Sequence, residues 1–349
     1  MHAIHITQHG GPEVMAWTEL PDPTPAPGEA LVRLGAAGVN FMDVGARKVG
    51  GPGWAAPTVL GAEGMGCVTA LGEGVEGVAV GDRVAWYYHP GSYAELLAIP
   101  AERLVKVPDE VSDETAAAVM MQGLTANHFT TETYAIKPGD TAVVHAAAGG
   151  VGLMLTQMIK VRGGRVIGLV SRAEKAAIAE EAGADHVLVS SGAGFEDRVR
   201  ELTGGEGAHV VYDGGGTSTF RSSQLALRLH GVHAYYGPFM GVPSLSVTDM
   251  PSSILLSYPT VQDHVPTREA LVARSEEVFA MVRTGKVSPR IGRRYPLADA
   301  ARAHSDLESR RTTGKLLLIP RSHPPARAQS IRARTVPAST AGEGETSCR

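Results

Sequence analysis

The run Val143-Val144-His145-Ala146-Ala147-Ala148-Gly149-Gly150-Val151-Gly152 limits this chain more than any other stretch. An apolar strand expected over Thr141–Ala146 leads into it. A helix expected over Leu153–Arg162 leads out and stops at Gly163-Gly164. Ala146, Gly149 and Gly152 are spaced by three, a variant of the dinucleotide fingerprint. A glycine-rich turn between strand and helix lets backbone approach a pyrophosphate. The helix start then offers unpaired N–H groups and the positive end of its dipole. The strand before and the helix after raise the pattern above a turn whose glycines serve only close packing.

The alternation continues downstream. Strands are expected over Arg165–Val170, His186–Val189, His209–Tyr212 and Val232–Tyr235, and helices over Glu174–Ala182, Phe195–Leu202 and Thr219–Leu229. Such a rhythm needs parallel strands with crossover helices, so it predicts an α/β doubly wound parallel sheet of the Rossmann type. The first ~120 residues read differently, as a β-rich unit. Short apolar runs at Ala30–Leu34, Gly66–Leu71, Arg83–Trp86 and Leu96–Ile99 lie between Pro and Gly turns. Pro21–Gly28 carries four prolines and belongs in an extended surface loop, because proline lacks the amide donor. Ser112-Asp113-Glu114 opens an Ala-rich helix, with a capping side chain and acids in its first turn.

After Pro259, helices are expected over Arg268–Thr284 and Leu297–Ser309, then a strand over Lys315–Ile319. This segment is short for a core of its own and is expected to pack back on the first domain. The division predicted is 1–123, 124–258, 259–320 and a tail, 321–349. The tail has almost no large apolar residue and is expected to be disordered.

The chain has 349 residues, 32 basic and 36 acidic, a balance that argues against a dedicated nucleic-acid binder. Cys67 and Cys348 are its only cysteines, too few for a disulfide framework or a four-thiolate zinc site. Met1–Ile6 lacks the pattern of a signal peptide, and no apolar run approaches the ~20 residues of a membrane helix. A soluble cytoplasmic protein is expected.

The strand after the glycine turn ends at Val170-Ser171-Arg172-Ala173-Glu174-Lys175. An NAD site usually presents an acid about 20 residues past the turn, for the ribose 2′-hydroxyl. Here a hydroxyl, Ser171, is followed by two cations, Arg172 and Lys175. A carboxylate repels a 2′-phosphate, whereas this set attracts one, so the predicted cofactor is NADPH.

With Gly38-Val39-Asn40-Phe41-Met42-Asp43 upstream, these residues resemble the quinone oxidoreductases, the zinc-free branch of the medium-chain dehydrogenase/reductase superfamily. The resemblance runs from about His2 to Pro320. It includes Gly10-Gly11-Pro12-Glu13-Val14, Gly81-Asp82-Arg83-Val84, Val211-Tyr212-Asp213 and Glu308-Ser309-Arg310. It implies a GroES-like β-rich domain, a Rossmann domain, a cofactor in the cleft between them, and a homodimer. By the same resemblance, Asn40, Phe41, Met42 and Asp43 line the nicotinamide end, and Gly150 and Val151, between Gly149 and Gly152, meet the pyrophosphate. Ser171, Arg172 and Lys175 face the 2′-phosphate. Tyr236, Gly237 and Phe239 pass the nicotinamide with Pro259–Val261, and Arg310 reaches the cofactor from the returning segment.

Three departures from the family stand out. His128 replaces a cofactor-contacting tyrosine, Ser190 an aromatic that flanks the adenine, and Asp213-Gly214-Gly215-Gly216 is unusually glycine-rich, which would loosen its loop. Where zinc-dependent relatives hold their metal, this chain has Asn40, Ala62 and about Gln122, with Glu63 alone surviving. His5 and His9 have H-x-x-x-H spacing, but in a strand and turn that spacing does not make a ligand pair. No metal is expected. Without a Lewis acid, reduction of an electron-poor acceptor is easier than oxidation of a simple alcohol.

The expected reaction is NADPH-dependent, zinc-independent reduction of a quinone or similar conjugated carbonyl acceptor by hydride transfer in the interdomain cleft. Asn40 would donate to the developing oxyanion, His128 or a water would supply the proton, and Asp43 would be an orienting acceptor. His145 is expected in the core. The alternatives are an enoyl or alkenal reductase of the same branch, and a non-catalytic NADPH-binding protein.

Overall fold

The computed structural model describes residues 1–51 and 53–320; the tail, 321–349, lies outside the described residues. One sheet has six parallel strands. Their spatial order is His186–Val189, Arg165–Val170, Thr141–Val144, Ala208–Asp213, Leu227–Tyr235, Leu255–Ser257. Numbered along the chain, that is 3-2-1-4-5-6. The order reverses between Thr141–Val144 and Ala208–Asp213, so a crevice opens there beyond the strand ends.

Both faces of the inner strands of this sheet are buried. Ala142, Val144, Val166 and Val210 point toward Met154, Leu155 and Met158 of the helix Gly150–Val161. Val143, Ile167, Leu169 and Val211 pack with Phe195 and Val199 on the other side. Burial on both faces is why these strands are continuous apolar runs in the sequence.

Two boundaries depart furthest from expectation, and the sixth strand, Leu255–Ser257, was not expected. The first strand ends at Val144, because His145–Ala148 form the turn, and the helix starts early, at Gly150. The helix expected over Thr219–Leu229 is only Phe220–Leu225, and Leu227–Tyr235 is strand. Ala208 N donates to Ala226 O at 2.8 Å and closes the helix just before that strand begins.

The second sheet is built on the long strand Glu29–Val39. Gly64–Leu71 and Leu96–Pro100 pair with it, and Arg83–Trp86 and Val105–Lys106 extend it. Lys315–Ile319 returns from the far end of the chain and pairs antiparallel with it, Leu316 opposite Val39 and Leu318 opposite Ala37. A polar strand that sequence reasoning missed, Ile291–Pro296, completes the edge. Also missed was the helix Phe41–Val49, whose start is set by Asn40 N donating to the Asp43 carboxylate at 2.8 Å.

The helix Asp113–His128 starts as expected, with Ser112 Oγ accepting from Thr115 N at 3.3 Å. Twelve of its sixteen residues are buried. It packs against both sheets' layers, and the division expected at 123/124 falls within it. It runs on into a single π-helical turn, Phe129–Thr133. Among the described residues no helix is long and apolar enough to cross a membrane.

Candidate active site

A cleft of about 420 Å³ lies at the crevice where the strand order reverses. Its floor on one side is the glycine turn. Ala146 takes a left-handed φ of 47°, and Gly149 N donates back to Ala146 O at 2.7 Å. No side chain caps the following helix, so its first-turn amides face the cleft. Gly152 lets helix and turn approach: a Cβ there would lie 2.3 Å from Ala146 O. Gly149, Gly150, Val151 and Gly152 all line the cleft, and the donor set fits a pyrophosphate.

Behind the turn, Asp213 organises a buried polar cluster. Its carboxylate accepts from Gly215 N at 2.8 Å, Thr219 Oγ1 at 2.8 Å and Ser223 Oγ at 2.7 Å. His145 Nδ1 lies 3.1 Å away and His233 Nε2 3.2 Å. Burial works to raise the Asp213 pKa. The histidines and hydrogen bonds outweigh it and hold the carboxyl well below its ordinary value. The glycine-rich loop expected to be loose is therefore tied at both Gly215 and Thr219. His145 is buried as expected, but it also contributes to the cleft wall.

At the far end, Ser171, Lys175 and Ser190 line the cleft. Lys175 Nζ donates to Arg310 O at 2.7 Å and Thr312 O at 2.8 Å. Burial, then the charge of Arg172, lower the pKa of its ammonium. Ser190 Oγ donates to Gly192 O at 2.8 Å. Arg310 lines the cleft, with Nη2 3.8 Å from Met240 Sδ. Arg172 does not line it: the side chain is half exposed and lies 3.7 Å from Glu174. A cation and two hydroxyls at this corner fit a 2′-phosphate, with Lys175 in place of Arg172 as the inner cation.

The opposite end is apolar and aromatic. Phe41, Met42, Tyr236, Gly237 and Pro259 line it, joined by Phe129 and Val261. Phe129 meets Tyr236 edge-on at 5.1 Å and stacks on Tyr212 at 5.6 Å. The side chain of Phe239 lies outside the described residues; its backbone belongs to the 3-10 turn Pro238–Met240.

Below this end, buried polar groups converge on Asn40. Its Oδ1 accepts from Lys315 Nζ at 2.8 Å and Gln122 Nε2 at 2.8 Å. Its Nδ2 donates to Glu63 Oε1 at 3.0 Å and Asp43 Oδ2 at 3.2 Å. An ammonium can only donate and a carboxylate only accept, so the amide orientation is fixed. Lys315 also pairs with Glu63, and Glu63 Oε2 accepts from Met121 N at 2.8 Å. Both Asn40 hydrogens are thus committed, and the expected donation from Asn40 to a substrate oxygen would break this cluster.

Asp43 does not reach the cleft. It accepts from Asn40 N and from Tyr93 Oη at 3.1 Å. Burial raises its pKa to about 7, against the pull of Lys315.

His128 does not reach the cleft either, which corrects its assignment as a proton donor. It is buried behind Phe129, 4.6 Å between ring centres, and stacks on His264 at 3.8 Å. Its Nδ1 is 3.2 Å from Thr133 Oγ1. Burial, then His264 and Arg274, lower its pKa to about 3, so it carries no proton to give near neutrality. The family position and the imidazole pointed to His128; which side of the helix faces the cleft could not be read locally.

Sequence reasoning missed the roles of Lys315, Gln122 and Phe129. Lys315 left a signal: a charge at the head of an otherwise apolar strand, Lys315-Leu316-Leu317-Leu318-Ile319. Of the positions compared with zinc ligands, Asn40 and Gln122 are hydrogen-bonded to each other and Ala62 offers no ligand atom. Among the described residues, no three His, Cys, Asp or Glu side chains group as metal ligands. This donor set does not fit a catalytic zinc.

Residues 26–109 match the family described as the alcohol dehydrogenase GroES-like domain, and 150–271 the family described as zinc-binding dehydrogenase. The chain is 39% identical to a quinone oxidoreductase of Pseudomonas aeruginosa over 322 residues, 91% of this chain and 99% of the other. It is 35% identical to a 2-haloacrylate reductase of a Burkholderia species, covering 92% and 99%. The structure of an Escherichia coli quinone oxidoreductase complexed with NADPH superposes with a TM-score of 0.88 at 36% identity, covering 92% of this chain and 100% of that one.

Proposed function

The chain belongs to the quinone oxidoreductases of the medium-chain dehydrogenase/reductase superfamily, and from that premise we propose that it reduces quinones, or similarly conjugated carbonyl compounds, with NADPH. One observation carries the reading: a single cleft joins an uncapped helix start, a cationic corner and an apolar aromatic end. Those three environments match a diphosphate, a 2′-phosphate and a nicotinamide beside a flat acceptor.

NADPH, when bound, supplies the hydride. The chain's own groups bind and orient. Gly149–Gly152 hold the diphosphate, and Ser171, Lys175 and Ser190 the phosphorylated ribose end. Phe41, Met42, Phe129 and Tyr236 form dry walls that exclude water from the acceptor. Reduction leaves negative charge on an acceptor oxygen. Lys315, a buried ammonium in the cleft wall, is the group we assign to stabilise it, with Asn40, Glu63 and Gln122 holding its position. The proton has to come from a group other than His128, which lies behind Phe129.

The second reading, reduction of an α,β-unsaturated carbonyl compound, is favoured by the 2-haloacrylate reductase likeness. An acceptor screen with stereospecifically deuterated NADPH separates them. Deuterium retained on carbon in the product marks enone reduction, and a hydroquinone with two electrons per turnover marks quinone reduction. Tight NADPH binding with no oxidation by any acceptor would overturn both. We also propose a homodimer. In its support, the outer strand Leu255–Ser257 and neighbouring Tyr258 expose Leu255, Leu256 and the tyrosine ring. Light scattering that gives the mass of one chain would refute it.

A further inference from the structure

We propose that Lys175 is an interdomain clasp: its ammonium holds the returning segment Arg310–Lys315 along the cleft, so the corner that reads the 2′-phosphate also positions the strand that completes the site. This extends the NADPH reading above only at the third N–H of the ammonium; the clasp itself is a property of the chain alone.

Lys175 stands just past a strand of the parallel sheet, yet two of its hydrogens go to the carbonyls of Arg310 and Thr312, on the segment leading into the other sheet. That segment is anchored at three points along the cleft. Lys175 holds its start. In the middle, Gly314 N donates to Ala148 O at 2.9 Å, and Gly314 bridges to Gly149 in the glycine turn. At its end, Lys315 is tied to Asn40 and Glu63.

Arg310, Thr312, Gly314 and Lys315 all line the cleft. The first anchor bears most on geometry, because Arg310 has a left-handed φ of 56°. A non-glycine residue keeps that conformation only where its surroundings impose it. Lys175 binds the carbonyl of that very residue.

An ammonium has three donors in tetrahedral array. Two carbonyls leave one for a phosphate oxygen, so clasp and phosphate contact coexist rather than compete. Arg172, which faces Glu174 instead, cannot serve as the clasp.

The test uses the full chain. Hydrogen–deuterium exchange is followed in the peptide spanning 310–316 without cofactor, in the parent, Lys175→Met and Arg172→Ala. Binding of NADH, which lacks the 2′-phosphate, is then titrated by fluorescence. Lys175→Met should speed exchange in that peptide about three- to tenfold, the scale of charge-assisted hydrogen bonds discounted for partial exposure. It should weaken NADH by a similar factor, and Arg172→Ala should leave the exchange unchanged. Unchanged exchange overturns the clasp. So does faster exchange with unaltered NADH affinity, because the segment would then be held without serving the cleft. If only NADPH binding suffers, Lys175 is a phosphate ligand alone and the proposed function stands. If the parent binds neither coenzyme, the proposed function fails, and the exchange comparison still decides the clasp.

Discussion

Gly152→Ala would isolate the contact between the cofactor turn and its helix. The backbone at Gly152 is one that alanine adopts freely, so only space is at issue. The added Cβ would lie 2.3 Å from Ala146 O and 2.8 Å from Ala147 Cα, both backbone atoms that cannot rotate aside. A carbon–oxygen contact needs about 3.3 Å, so turn and helix must part by about 1 Å. Overpacking of this kind costs about 1–3 kcal/mol, a fall of about 1–4 °C in Tm for a chain of this size. Moving the helix amides off the turn should also cost one charge-assisted hydrogen bond to phosphate, weakening NADPH about tenfold or more. Gly150→Ala is the milder comparison: its Cβ would meet Gln122 Cγ at 3.1 Å, so that side chain, held to Asn40, need shift by only a few tenths of an ångström. Thermal melts and NADPH fluorescence titrations measure both. If Gly152→Ala keeps the parent's Tm and NADPH affinity, the close approach does not matter and the reasoning about the turn is wrong.

His128→Phe should leave the pH–rate profile unchanged between pH 5 and 9, because a group with a pKa near 3 does not titrate there; a shifted limb would restore His128 as a proton carrier. Asp43, raised to about 7 when folded, binds an extra proton relative to the unfolded chain between about pH 4 and 7. Its contribution to stability is therefore full below about pH 4 and lost as pH rises through 7. Urea midpoints should fall across that window in the parent, and the fall should flatten in Asp43→Asn; parallel curves would contradict the raised pKa. Lys315→Met should lower kcat about 10²-fold at saturating NADPH, the scale of losing one oxyanion-stabilising donor. It also leaves Glu63 buried without its cation, so Lys315→Met/Glu63→Gln should recover stability but not kcat. A kcat equal to the parent's would remove Lys315 from the chemistry.

Five of the six parallel strands were legible, the inner ones because they are buried on both faces; the exposed edge strand Leu255–Ser257 was not. Arg165–Val170 and His186–Val189 were read at their observed bounds from apolar runs between glycine stops. The edge strand Ile291–Pro296 was not legible, since Arg293 and Arg294 face solvent and hide any alternation. The half of the cleft proposed for the phosphates follows from local chain order, strand to turn to helix, and the residues expected there line the cleft, apart from Arg172. The acceptor half depends on contacts across the whole chain. Lys315 meets Asn40 from 275 positions away, and that pairing decides what the Asn40 amide can donate. No spacing rule reports it.

The antiparallel pairing of Lys315–Ile319 with Glu29–Val39 has a consequence for biosynthesis. During translation the central strand emerges well before the neighbour for its Ala37–Val39 end, which is not made until Lys315–Ile319. Until then that end has an open edge, and Asn40 and Glu63 wait without their ammonium. Such a long-range closure is slow and leaves a nascent intermediate prone to pair with other chains. A chain released by a stop codon before position 315 would hold a nearly complete parallel sheet and still lack a finished reaction chamber.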